Sequence, residues 1–364
     1  VSAKEEFLYD GRCDELQQPC SILRSGIQHP RSEQLRMVGD GDLAFLSLGD
    51  WGCGATNCII DFGPFQKETD AGPRQGRVSA AMATSAEQVK SQFVLALGDN
   101  FYHRGVQSVD DPLWRSVWQS RFTQPSLQTP WYALLGNHDH YGNAQAQIDF
   151  SVQGKDIRWV LPNNYYSVVK NFGAPGQEGT LQLVVIDTVI LDEDHTRNIL
   201  IEKIRTGHLP EIALSRFDDT RHIRAGAAKA QMDWLADVLS TSKADWLLVL
   251  GHYPVFSGGE HGNTPSLLEE LKPMLEKYRV DAYVCGHDHT AQHLAENGVN
   301  YYVVGNGCFL GTVKALPQTQ FAAVVGGFGV HQVAKDSLTT TFVNDEGAVI
   351  YSHTMHKKAA AARA

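Results

Sequence analysis

Cysteine, positive charge and long apolar runs are all scarce in this chain. Six cysteines in 364 residues are too few for a fold built from disulfides. The pairs Cys13 with Cys20 and Cys53 with Cys58 are near enough in sequence to bridge locally, which would point to an oxidising compartment. Six reduced, buried thiols is the other reading, and spacing does not choose between them. Cys285 and Cys308 lie in apolar segments and read as core fillers. Lys and Arg number 31 against 41 Asp and Glu, a formal net charge of -10. That argues against a nucleic-acid partner, because neutralising a phosphate backbone takes clustered cations. A locally positive site remains open, since bound metal ions do not enter that sum. The apolar runs, such as Trp246–Leu250 and Ala322–Val325, are too short to cross a bilayer. Also absent are a basic-then-apolar leader ahead of Val1 and any Asn-x-Ser/Thr sequon, so a signal segment has either been removed or never existed.

What is present is an ordinary globular composition, 43% hydrophobic and 20% charged, enough for one extensive core or two smaller ones. Residues 1–40 lack clear periodicity and read as an N-terminal extension; residues 41–356 form the main domain, and 357–364 a frayed tail. Within that domain, Val189 to Gly226 is rich in charge and poor in strand pattern, which reads as an insertion or lid beside a site.

From Leu43 onward one grammar recurs. Short apolar runs of buried-strand type end in a Gly or a polar residue, and a helical pattern follows. The runs are Leu43–Leu48 before Gly49-Asp50, Phe93–Leu97 before Gly98-Asp99, and Trp131–Leu135 before Gly136-Asn137. Leu183–Ile186 before Asp187, Trp246–Leu250 before Gly251-His252, and Ala282–Cys285 before Gly286-His287 complete the set. Helices are expected over Ser79–Ser91, Pro112–Phe122, Ala228–Leu239 and Pro265–Tyr278, giving an α/β fold. Ends of strands in such sheets are where side chains leave the packed layer on an anchored backbone, so binding sites form there.

Taken singly, each of these polar residues is ordinary: Asp after Gly is a turn or cap residue, and a lone His makes a structural hydrogen bond. Taken together, carboxylates, an amide and imidazoles at successive strand ends suit a borderline or hard metal such as Fe, Mn or Zn.

Gly49-Asp50, Gly98-Asp99-Asn100, Gly136-Asn137-His138-Asp139, Gly251-His252 and Gly286-His287-Asp288-His289 are five ordered blocks, and through them the sequence resembles the calcineurin-like metallophosphoesterases. Within that superfamily, Asp50-Trp51-Gly52, Asp99-Asn100-Phe101-Tyr102 and His252-Tyr253-Pro254 resemble the purple acid phosphatases. Pro130-Trp131-Tyr132, Arg158-Trp159, Glu260-His261-Gly262 and Gly326-Gly327-Phe328 resemble the small, mammalian-type, tartrate-resistant members. The resemblance implies a four-layer α/β/β/α sandwich of two mixed β-sheets flanked by helices. It further implies a dinuclear centre, with Asp50, Tyr102 and His289 on Fe(III), Asn137, His252 and His287 on a divalent Fe, Zn or Mn, and Asp99 between them. Tyr102 is the discriminating residue, because a phenolate favours a trivalent ion and colours the protein.

The activity so implied is hydrolysis of phosphate monoesters, small molecules or phosphoproteins, with a metal-activated hydroxide as nucleophile. His138 and His261 match the outer-sphere histidines of the family and are expected to contact substrate and pass a proton to the leaving alcohol, as an imidazole near pKa 6.5 can at acidic pH. Asp139 and Asp288 read either as acceptors that orient these rings or as turn residues. His103, His140, His195, His208 and His222 read as surface histidines. Arg104 and Arg158 stay outside the catalytic set. A monomer in a secreted, lysosomal or vacuolar setting follows from the same resemblance. Two rivals stand beside it: a phosphodiesterase or protein phosphatase of the same superfamily, and a scaffold like the glideosome-associated proteins of parasites, which resemble the family and serve mainly as membrane-anchored supports.

Overall fold

The six apolar runs are strands, and their side chains are buried throughout. The computed structural model describes residues 7–8, 21–24, 35, 42–54, 60–61, 67–68, 70–207, 209, 211, 213–215 and 226–357. Two mixed sheets carry the fold, beside a two-stranded pair of β4 (Ile60–Asp61) and β5 (Lys67–Glu68). One has seven strands in the order β18 (Val349–His356), β17 (Ser337–Asn344), β16 (Gly327–Val333), β3 (Leu43–Leu48), β6 (Val94–Leu97), β7 (Trp131–Leu134) and β8 (Trp159–Val160). Its β3, β6, β7 and β8 run parallel.

The other has nine strands in the order β1 (Phe7–Leu8), β2 (Ser21–Arg24), β15 (Thr319–Ala323), β13 (Ala291–Glu296), β14 (Val299–Val304), β12 (Ala282–Cys285), β11 (Trp246–Leu250), β10 (Gly179–Val185) and β9 (Tyr166–Phe172). Here β10, β11, β12 and β14 are parallel. Parallel strands buried on both faces read as continuous apolar runs, which is why the sequence exposed them.

Alternation along the strands separates two cores. Leu181, Leu183 and Val185 of β10 and Leu248 of β11 face the seven-stranded sheet. Val184, Leu247 and Val249 face the helices, where they meet Leu200, Leu235, Leu239 and Leu275. Helix α1 (Ala71–Val89) covers the outer side of the seven-stranded sheet through Val78, Met82, Ala86 and Val89. The result is the expected four-layer α/β/β/α order.

Three expectations shift. Helix α1 starts eight residues before Ser79; Gly72 and Pro73 hid its first turn, where amide hydrogens lack intrahelical partners and proline costs little. The segment after Asp187 is helical, over Thr188–Leu191 and Glu193–Arg205, and it contributes Leu200, Leu209 and Ala213 to the second core. Within the N-terminal 40 residues, Ser21–Arg24 pairs with β15, placing Arg24 opposite Phe321. Cys53 is disulfide-bonded, whereas Cys285 and Cys308 are free and buried, as core fillers should be. The Cys13 and Cys20 pairing and the tail from 358 lie outside the described residues. No helix among the described residues is long and apolar enough to cross a membrane.

Candidate metal centre

The carboxyl ends of the parallel strands of both sheets meet at one place, and there the loops after β3, β6, β7, β11 and β12 are tied together through their polar side chains. Asp50 Oδ2 accepts the backbone amide of His287 at 2.7 Å, joining the seven-stranded sheet to the nine-stranded one. Asp99 Oδ1 accepts the amide of His138 at 2.9 Å. His252 Nδ1 lies 2.8 Å from the carbonyl of Leu97; a carbonyl only accepts, so Nδ1 carries a proton and Nε2 is the nitrogen turned toward the cluster.

Local backbone explains the Gly-X grammar. Asp50, Asp99 and His287 have φ of 55°, 50° and 72°, left-handed conformations uncommon outside glycine and concentrated at functional sites. A Cβ on Gly136 would collide with Asp99 Oδ1, and one on Gly286 with Asp50 Oδ2. The glycines are there because a carboxylate from another loop occupies the space.

Two groups of donor atoms result. The Tyr102 hydroxyl is 3.1 Å from Asp50 Oδ1 and 3.2 Å from His289 Nε2, and that Nε2 is 3.6 Å from Asp50 Oδ1. In the second group, His252 Nε2 lies 3.1 Å from Asn137 Oδ1 and 3.4 Å from Asp99 Oδ1. Asp50, Asp99 and His252 link the two, with one ligand atom of each inside a 4.8 Å span. Neighbouring ligands on one ion with bonds of about 2.1 Å stand about 3 Å apart, so each group has the spacing of one face of a coordination shell. The donor set therefore fits a pair of metal ions. The His287 ring adjoins this cluster, 5.1 Å from that of His252 between centroids.

Electrostatics point the same way. Asp50 and Asp99 are 0% and 2% exposed, and buried carboxylates need a cation. Burial raises the Asp50 carboxyl against the pull of His252 and His289. Asp99 goes the other way: burial opposes it, yet the charges of His252 and His138 hold it well below the usual range. For His252, burial works against charge but Asp99 and Asp50 outweigh it and push the imidazole up to about 10. Burial, with Asp50 and Asp99, raises the Tyr102 phenol well above 10, so a phenolate there requires a strong cation.

His138 and His261 flank the cluster. The His138 ring lies 4.6 Å from that of Tyr102, and its Nδ1 is bound to the His103 carbonyl at 2.9 Å. Burial drives His138 down to about 4, below the ordinary imidazole value expected for it. His261 is exposed and stacks on His287 at 4.2 Å.

Several secondary readings change. Asp139 accepts the amides of Gly136 and Asn100 and the Gln147 side chain, and Asp288 accepts the amide of His261 and the Ser257 hydroxyl. Both brace ligand loops and neither orients an imidazole. His140 is buried, with Nε2 2.8 Å from Asp187, and His103 is half-buried; the polar sequence around them suggested surface positions. His208 and His222, and the side chain of His195, lie outside the described residues. Asp187 holds no place in the donor cluster: it caps the 188–191 helix through the amides of Val189 and Ile190. Arg158 pairs with Asp156 and covers Trp118.

Two supporting residues escaped the sequence reading. Thr188 Oγ1 accepts the amides of His252 and Tyr253, and Tyr141 accepts Asn137 Nδ2 at 3.0 Å, which turns the amide oxygen toward His252. The position of Thr188 directly after a strand-end aspartate was the one available signal.

Residues 44–291 match the calcineurin-like phosphoesterase family model. The chain is 34% identical over 338 residues to tartrate-resistant acid phosphatase type 5 of Oryctolagus cuniculus, covering 88% of this chain and 92% of the relative. Purple acid phosphatase 7 of Arabidopsis thaliana is 31% identical over 284 residues, covering 77% and 73%. Among solved structures, GAP50, the anchor in the inner membrane complex of Plasmodium, aligns with TM-score 0.70 at 22% identity over 88% of this chain and 90% of that one. That last likeness concerns the fold alone.

Proposed function

Since the chain belongs to the calcineurin-like phosphoesterase family, with acid phosphatases among its relatives, we propose that it hydrolyses phosphate monoesters at a dinuclear Fe(III)–M(II) centre. Asp50, Tyr102 and His289 would hold the ferric ion. Asn137, His252 and His287 would hold the divalent ion, Fe, Zn or Mn, and Asp99 would serve both. The observation that carries this reading is the meeting of a phenol, a carboxylate and an imidazole within 3.6 Å of one another, beside a second group joined to it through Asp50, Asp99 and His252. When bound, such a pair acidifies water and draws in phosphate oxygens, so no side-chain nucleophile is needed.

The remaining work falls to this chain's histidines. His261, exposed and stacked on a ligand ring, can exchange protons with solvent and is the better-placed donor to the leaving alcohol. His138, half-buried with Nδ1 committed to a carbonyl, presents Nε2 to substrate and positions it. Tyr141 and Thr188 keep Asn137 and His252 in register. The disulfide at Cys53 supports an oxidising setting, secreted, lysosomal or vacuolar, and we expect a monomer.

The test is turnover of p-nitrophenyl phosphate by iron-loaded protein, with metal analysis and a visible spectrum. Turnover, about two metal ions per chain and a visible band are expected; protein that neither binds metal nor hydrolyses the ester would sink the proposal and return the scaffold reading. Turnover by a colourless protein would exclude the ferric phenolate while leaving a dinuclear phosphatase.

A further inference from the structure

The helix Glu193–Arg205 turns one face toward the metal centre. Thr196, Leu200 and Lys203 fall on that face by helical spacing. Thr196 is buried and its Oγ1 lies 3.2 Å from the Tyr253 hydroxyl, and Tyr253 in turn lies against the His287 ring at 4.5 Å. Leu200 is fully buried in the second core. With those two residues anchored, Lys203 is carried over the rim: its Nζ stands 5.3 Å from the centroid of the Tyr141 ring, whose hydroxyl holds Asn137. Its charge acts on His138, His103 and Asp99.

Lys203 has no carboxylate partner among the described residues. Burying a lysine head without one is unfavourable, and the Tyr141 face compensates only in part. Next to it, the buried Nε2 of His103 has no hydrogen-bond partner in the described structure, and the His103 ring lies 6.0 Å from that of His138. A half-buried cation and an unpartnered imidazole nitrogen thus both lie near His138 at the edge of the donor cluster, in a chain whose formal charge is -10.

We propose that Lys203, with His103, forms a second anion subsite that selects phosphate esters carrying a further phosphate group. A lysine ammonium is a compact point charge suited to phosphate. The inference rests on the phosphatase reading, with the scissile phosphate at the metal pair and the second one at Lys203. Chemistry is the same for either kind of ester: water adds to phosphorus, the ester P–O bond breaks, phosphate departs and the sugar oxygen takes the proton.

Fructose 1,6-bisphosphate and fructose 6-phosphate differ by one phosphate and supply the test, with inorganic phosphate release as readout. Wild-type protein is expected to prefer the bisphosphate in kcat/KM. In Lys203→Met, which keeps an aliphatic stem over Tyr141, the ratio of the two kcat/KM values should fall about tenfold, chiefly through KM. Lys203→Arg should restore part of the ratio, and salt should erode the wild-type preference. An unchanged ratio, or equal loss on both esters, overturns the subsite. Calorimetric binding of fructose 1,6-bisphosphate separates this from failure of the catalytic reading: protein without turnover that still binds it more tightly than Lys203→Met keeps the subsite and loses the activity. Equal binding by both proteins removes the subsite.

Discussion

Two sets of buried histidines respond to burial in opposite ways. His252 and His289, at the meeting point of the two sheets, are raised despite burial because Asp50 and Asp99 stand beside them. His293 and His331, in the sheets away from the centre, are driven down to about 3 by burial, aided at His293 by the charge of His353. The second set is satisfied by neutral partners: His331 bonds Ser47 and Thr340, and His293 bonds Tyr351 and Asn300. Desolvation is common to both, so the neighbours decide the sign. A buried imidazole among carboxylates lies in a field that wants a cation; one among hydroxyls and amides is a core residue.

Removing a carboxylate from the first set should break the comparison most severely. Asp99→Asn takes away the charge proposed to serve both donor groups. Several kcal/mol of charge stabilisation is at stake, so p-nitrophenyl phosphate turnover should drop on the order of 10^3-fold, with reduced metal content by elemental analysis. Retained metal and turnover would mean that Asp99 is not the shared ligand. His261→Ala probes the same centre from outside the donor cluster. We expect kcat to fall by about 10^2, with metal content unchanged; loss of metal instead would make His261 a ligand.

The same contrast explains how far the sequence could be read. The strands and the order of the candidate ligand loops were legible because buried parallel strands leave unbroken apolar runs, and because Gly before Asp50, Asp99, Asn137, His252 and His287 marks loops crowded by other parts of the chain; the four-layer order came with the family resemblance that those blocks carry. Burial of a polar residue depends on partners remote in sequence, and there the reading failed. His140 looked exposed beside polar neighbours until Asp187, 47 residues away, closed over it. Asp139 and Asp288 could be read as partners for imidazoles or as turn residues, and the fold decides for backbone amides and neighbouring polar side chains. Lys203 was invisible in a charged segment, because its helix phase is set by Thr196 and Leu200.

The second set predicts a stability effect of sign opposite to that of the first, and a variant outside the centre isolates it. His293 and His331 each go from 6.5 in the unfolded chain to about 3 when folded. The unfolded chain therefore binds protons that the folded one refuses. Their contribution is fully present above 6.5 and is lost as pH falls from 6.5 toward 3, at about 2 kcal/mol for each by pH 5. Urea midpoints measured from pH 7 to 5 should fall accordingly, and His331→Gln should flatten the slope while lowering stability at pH 7. An equally steep slope in that variant would mean that His331 protonates in the fold.

Tyr351→Phe makes the smallest and sharpest version of this test. It removes the hydroxyl 2.8 Å from His293 Nδ1 and leaves that nitrogen without this partner, at a cost of about 1 kcal/mol in the urea midpoint at pH 7. The hydroxyl neither supplies nor balances a charge on a neutral ring, so the acid slope should stay as in the parent protein. A slope that flattens in Tyr351→Phe would show that the hydroxyl had been suppressing protonation; one that steepens would show that His293 was charged in the fold with the support of that hydroxyl, and the two sets of histidines would then differ in degree and not in kind.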